Sequence, residues 1–280
     1  MNHNPPVRIG KISYINASPV YYGLDHGLLP SWLEMVADVP SALNRQIMTG
    51  QVVLSPISAA FYAQNHTDLL VLPDLSISCH GRVLSVLLAS QYPIERLGGK
   101  HIVFTRESAS AASFLKMIFN RKQITPEYAV GRVDDCQRVS KQADAALVIG
   151  DTALTQPWDT VFHYCYDLGQ LWYEMTQLPF VFAVWAVRRS FVRKYPEVVR
   201  DIHHLLLASR VQGEVHLERV IRNGIEKTGL PEPVVREYFD LLYCDLDEKK
   251  IDAMTLFFDS LKQQGILYDQ PRVNFFEFSG

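Results

Sequence analysis

The chain has 280 residues, 48% of them hydrophobic and 20% charged, enough apolar material for one large core or two smaller ones. With 27 basic and 30 acidic residues the net charge is −3, and no run of Lys and Arg is interleaved with aromatics, which argues against nucleic acid as a partner. The four cysteines (Cys79, Cys136, Cys165, Cys244) form no CxxC pair and the nine histidines no HExxH or HxH spacing, so free thiols in a reducing cytoplasm are expected and a bound metal is not. The first eight residues show no basic segment followed by a long apolar run, and no later run is apolar enough to span a bilayer, so a cytoplasmic protein without a membrane partner is expected.

In chain order, the pattern predicts a strand at 8–15, a helix at 19–28, and a helix at 41–49 stopped by Gly50. A strand at 52–55, a Pro56-led helix to about 65, a strand at 69–72 and a buried strand over Val83 to Ala89 follow. The middle repeats the alternation, with strands at His101 to Thr105, Tyr128 to Arg132 and Ala145 to Ile149, and helices at Ser108 to Arg121 and Leu168 to Thr176. Leu178 to Val187 is a nearly all-apolar strand, after which the pattern turns helical. In the last helix Ile251, Met254, Phe257, Phe258 and Leu261 make one apolar face, expected to pack back on the first half.

Alternating strands and helices without a Gly/Ser tether point to an α/β protein of two lobes crossed twice by the chain. The expected lobes are 1–88 with 186–280, and 89–185, hinged near 86–92 and 180–187. This is the two-lobed type II periplasmic-binding-protein-like architecture, which holds ligands in the inter-lobe cleft at strand ends. The segment Ile12 to Tyr21 fits it. An apolar strand runs into Asn16 and then Ser18-Pro19, a helix start whose free amides suit an anionic small molecule, although an ordinary helix cap reads equally well from these residues.

Several segments together resemble the chorismate dehydratase family of the futalosine route to menaquinone. They are Arg8-Ile9-Gly10-Lys11-Ile12-Ser13-Tyr14-Ile15-Asn16-Ala17-Ser18-Pro19, Leu54 to Ala63, Leu72 to Ser78 with Gly81 to Leu88, Thr105 to Ser110, and Asp167 through Trp172 and Thr176 to Trp185. Ala59 departs from an expected hydroxyl residue, Ala60-Phe61 from an aromatic or aliphatic residue followed by Glu, and Gln177 from a usual Gly. The sister dihydroxynaphthoate synthase family carries Cys-Pro-Asn-Asp where Ile15-Asn16-Ala17-Ser18 stands here.

The resemblance implies loss of water from chorismate, a dianion, to give 3-[(1-carboxyvinyl)oxy]benzoate without a cofactor. It implies Asn16 and Ser85 as catalytic residues and Ser58, Ser108 and Ser110 as substrate clamps; for each hydroxyl the plainer role, helix capping or a bond to a core carbonyl, remains beside it. No protein base stands out. The enolpyruvyl carboxylate of the substrate is the preferred proton acceptor, with His80 an alternative. Asp151 reads as a helix cap, Trp172 and Trp185 as core, and Arg82 and Arg106 as solvated. A solute-binding protein of the same fold, or the sister synthase, is the rival reading.

Overall fold

The computed structural model of the chain describes residues 6–107 and 109–277. Strand β1 (Val7–Ile12) runs through a 3-10 turn at Ile15–Ala17 into helix α1 (Ser18–Gly23). Strand β2 (Leu33–Asp38), α2 (Pro40–Thr49), β3 (Leu54–Ser58), α3 (Ala59–Gln64) and β4 (Leu69–Cys79) follow. The second lobe is β5 (Val86–Ser90), β6 (His101–Thr105), α4 (Ala109–Arg121), β7 (Glu127–Gly131), α5 (Cys136–Ser140), β8 (Ala145–Ile149), α6 (Asp151–Thr155), α7 (Trp158–Val161) and β9 (Tyr164–Asp167). Helix α8 (Leu168–Thr176) leads back to β10 (Phe180–Arg188), α9 (Arg189–Val192), α10 (Pro196–Val215), α11 (Leu217–Thr228), α12 (Glu232–Asp240), β11 (Leu242–Tyr243) and α13 (Glu248–Gln263).

The strands form two sheets, ordered β11-β4-β10-β3-β1-β2 and β7-β6-β8-β5-β9. The continuous apolar runs of β8 and β10 lie inside them, each flanked by two strands, as strands covered on both faces must. Strand β2 was not expected. It closes the edge of the first sheet in parallel with β1 and alternates irregularly between buried and exposed residues, so its sequence carries little periodic signal. Pro56 lies within β3 and does not head a helix; the helix begins at Ala59, with the Ser58 side chain accepting from Phe61 N. Strand β4 runs on through Pro73-Asp74 to Cys79. Its pairing with β10 jumps from Val71↔Ala186 to Ser76↔Val184 across that dipeptide, a bulge that absorbs the proline.

The chain changes sheets between Cys79 and Val86 and again between Asp167 and Phe180, so 86–88 belong to the second sheet and 180–185 to the first. The expected boundaries and hinges near 86–92 and 180–187 therefore lay within single sheets. The apolar run over Val83 to Ala89 hid the first crossing. Leu84 stands at φ 62°, which costs a residue with a side chain about 1–2 kcal/mol. One carboxylate oxygen of Asp167 holds it there, accepting from Val83 N at 2.9 Å and Leu84 N at 2.7 Å. The two crossings also touch. A Cβ at Gly169 would meet Gly81 O at 2.4 Å, so only glycine lets the chains pass this closely.

Behind the crossings, Phe114 of α4, Trp172 of α8, Phe180 of β10 and Phe257 of α13 pack with centroids 5.1–6.5 Å apart, and all four are almost fully buried. Trp172 Nε1 donates to Pro179 O at 2.9 Å, so the indole's one polar group is satisfied inside this apolar seam. Helix α13 contacts α3, α4 and β10. The C-terminal helix thus joins the two lobes, where it was expected to cover the first alone.

Candidate functional site

A cleft lies between the sheets, walled by the C-terminal ends of β1, β3 and β8, the start of α4 and the Val83–Val86 crossing. Asn16, Ser58, Ser85 and Ser110 all line it. Ser108 lies outside the described residues. The remaining walls are largely apolar (Ile12, Ile77, Val83, Ile149, Phe182 among them), and among the described residues the only titratable side chains on them are Tyr14 and Glu107.

Asn16 sits in the 3-10 turn between β1 and α1, and its Oδ1 is buried without a hydrogen-bond partner among the described residues. A buried acceptor left unpaired costs about 1–3 kcal/mol unless a donor arrives. Ser85 is buried in the crossing just before β5 and so lies outside the strand, where a strand was expected over Val83 to Ala89. Its Oγ accepts from Tyr238 Oη of α12 at 3.0 Å. Burial pushes the Tyr238 phenol well above its usual range, so it stays protonated as the donor and leaves the Ser85 hydroxyl hydrogen for another acceptor.

The other two serines are more occupied. Ser58 caps α3, accepting from Phe61 N at 3.3 Å, and keeps its own hydrogen to donate. Ser110 accepts from Ala60 N at 3.0 Å and donates to Phe182 O at 3.2 Å. Its hydroxyl thus ties α4 of one lobe to α3 and β10 of the other, and only a lone pair remains for a ligand. Across the cleft the Tyr14 hydroxyl donates to Glu107, whose carboxyl burial pushes above its usual range. Asp151, expected as a cap, does not cap α6; it accepts from Ile15 N at 3.0 Å and pairs with Lys227 at 3.2 Å.

His80 is exposed, edge-on to Tyr173 at 4.7 Å, and is not a cleft wall. Arg82 is exposed and paired with Glu237 at 3.5 Å; Arg106 is exposed too. Trp172 and Trp185 are core. Among the described residues no three His, Cys, Asp or Glu side chains gather into a metal-binding group, and no helix is long and apolar enough to cross a membrane. Sequence reasoning passed over Tyr14 and Glu107 although both lie in segments carrying the family resemblance; Tyr238, distant in sequence and outside any motif, gave no signal.

A profile described as menaquinone biosynthesis matches residues 7–263. The chain belongs to that family. Among curated relatives of this family member, a chorismate dehydratase of Thermus thermophilus is 32% identical over 200 residues, 66% of this chain and 71% of the relative. A chorismate dehydratase of Campylobacter jejuni is 26% identical over 90% of this chain and 96% of its own. A 1,4-dihydroxy-6-naphtoate synthase of Thermus thermophilus is 27% identical over 95% and 97%. Of solved structures, a protein of Archaeoglobus fulgidus superposes with TM-score 0.76 at 21% identity, covering 95% of this chain and 100% of that one. The alkanesulfonate-binding protein of Xanthomonas axonopodis pv. citri, bound to MOPS, gives 0.69 at 15% identity, covering 98% of each. These structures establish the two-lobed type II periplasmic-binding-protein-like fold for this member of the family.

Proposed function

We propose that the protein is a chorismate dehydratase, a carbon–oxygen lyase acting in the cytoplasm on the futalosine route to menaquinone, with chorismate bound in the inter-lobe cleft. The observation that carries this reading is the buried, unpartnered Asn16 Oδ1 on a cleft wall: it calls for a ligand with a hydrogen-bond donor, and the ring hydroxyl of chorismate is one. Curated relatives bearing that activity support it.

The reaction removes the hydrogen on the ring carbon bearing the ether, because the negative charge left behind spreads through the diene into the ring carboxylate. The neighbouring hydroxyl then departs, takes up the proton removed from that carbon and leaves as water, and the ring becomes aromatic. Asn16 holds that hydroxyl. Ser85, with Tyr238 filling its acceptor side, directs its hydrogen to the carboxylate on which charge builds, a preorganised donor in a water-poor wall. Ser58 and the first-turn amides of α4, at the positive end of a 13-residue helix, receive the other carboxylate. The enolpyruvyl carboxylate takes the ring proton, so the steps need no protein base. With His80 outside the cleft, none of the expected protein bases is available.

Incubating the pure protein with chorismate, following loss of the diene absorbance and weighing the product, tests this directly. A product one water lighter is expected. Chorismate bound but recovered unchanged would leave a solute-binding protein, and chorismate neither bound nor converted would favour the sister synthase.

A further inference from the structure

The turn that carries Asn16 belongs to the first lobe by chain connection, yet its backbone is fastened to the second. Ile15 N donates to Asp151 Oδ1 at 3.0 Å. Just before it, the Tyr14 ring lies over Gly150, where a Cβ would come within 2.7 Å of the ring. Gly150 stands at φ 65° and its N–H donates to Ser85 O at 2.8 Å. The Gly150-Asp151 step at the end of β8 therefore touches both the Asn16 turn and the backbone of Ser85. Asp151 itself is not a cleft wall. Its carboxylate does no capping within α6; besides the Ile15 amide it pairs with Lys227 of α11 at 3.2 Å, and the same ammonium bonds Ser13 O.

We propose that Asp151 is a positioning residue that sets the Asn16 side chain in register with Ser85 when the lobes meet. The proposal rests on the reading above, in which Asn16 and Ser85 act on one substrate. An amide held by a short turn swings with that turn, and among the described residues the only side chain that fixes the turn's leading N–H comes from the opposite lobe. Losing it lets Asn16 drift by a fraction of an ångström relative to Ser85, and misplacement of about 1 Å costs on the order of 10²-fold in rate. The coupling also makes assembly of the site conditional on contact between the lobes.

A mutant cycle tests it. Asp151→Ala is expected to lower kcat by about 10–100-fold with a smaller change in KM, and Asp151→Asn, whose amide oxygen still accepts from Ile15 N, is expected to recover most of the loss. In the Asn16→Ala background, Asp151→Ala should add little further loss, because the group it positions is gone. Additive losses, or full activity in Asp151→Ala, would overturn the proposal. Hydrogen exchange of the Ile15 amide without ligand gives an independent reading: faster exchange in Asp151→Ala supports the fastening and unchanged exchange refutes it. If the wild-type protein leaves chorismate untouched, the activity reading fails, while the exchange measurement still decides whether Asp151 holds the turn.

Discussion

The front and back of the cleft are built from different chemistry. At the front the lobes meet through a few polar contacts, Tyr14 to Glu107, Ile15 to Asp151, and Lys227 to Asp151. At the back they share Phe114, Trp172, Phe180 and Phe257 in one dry cluster, with the two crossings packed together at Gly81 and Gly169. Polar contacts exchange readily with water and are worth little each, whereas buried aromatic area is lost at great cost. The lobes are thus held weakly at the front and firmly at the back, and the residues proposed to act on substrate sit at the front.

Substitutions at the two ends should therefore fail differently. The largest effect is expected at the back: Phe180→Ala should cost about 3–5 kcal/mol of stability, read as a lower denaturant midpoint. A loss under about 1 kcal/mol would mean that the seam is not the structural pivot. At the front, Asn16→Ala should keep the wild-type midpoint and lose about 10²–10³ in kcat; equal turnover would remove Asn16 from the site. Between these lies a pH effect. Burial raises the Glu107 carboxyl, so the folded protein holds that proton more tightly than the unfolded chain. Its contribution to stability is full below the unfolded value and is lost as pH rises through the folded one. Glu107→Gln should therefore flatten the decline in stability with rising pH just above the usual carboxylate range, and a slope identical to wild type would contradict the burial of that group. The smallest effect is expected for Lys227→Met, because half-exposed ion pairs are worth only about 0–1 kcal/mol. Chevron or melting data showing a larger loss would mean that the front contacts are as structural as the seam.

The same contrast explains what could be read in the sequence. The strands at His101 to Thr105 and Ala145 to Ile149 and the helix at Leu168 to Thr176 match the structure residue for residue, since strong apolar periodicity and clear caps are local properties. The crossing at Val83 to Ser85 was misread because its residues are as apolar as a strand. What breaks it is a carboxylate from Asp167, some 80 positions away. Asn16, Ser58, Ser85 and Ser110 were picked out with the help of the family resemblance, and they do share one cleft. That the Ser110 hydroxyl is spent between lobes and that Tyr238 stands behind Ser85 depend on contacts between distant elements, for which one sequence has no periodicity to offer.

The most direct test is a crystal structure of the slow Asn16→Ala variant grown with chorismate. Intact chorismate is expected between the lobes, with one carboxylate within about 2.6–3.2 Å of Ser85 Oγ, the ring hydroxyl facing the space vacated by the Asn16 amide, and the Ile15 amide still held by Asp151. Chorismate seated elsewhere, or an inter-lobe cleft left empty at saturating ligand, would contradict the assignment of this cleft as the site of dehydration.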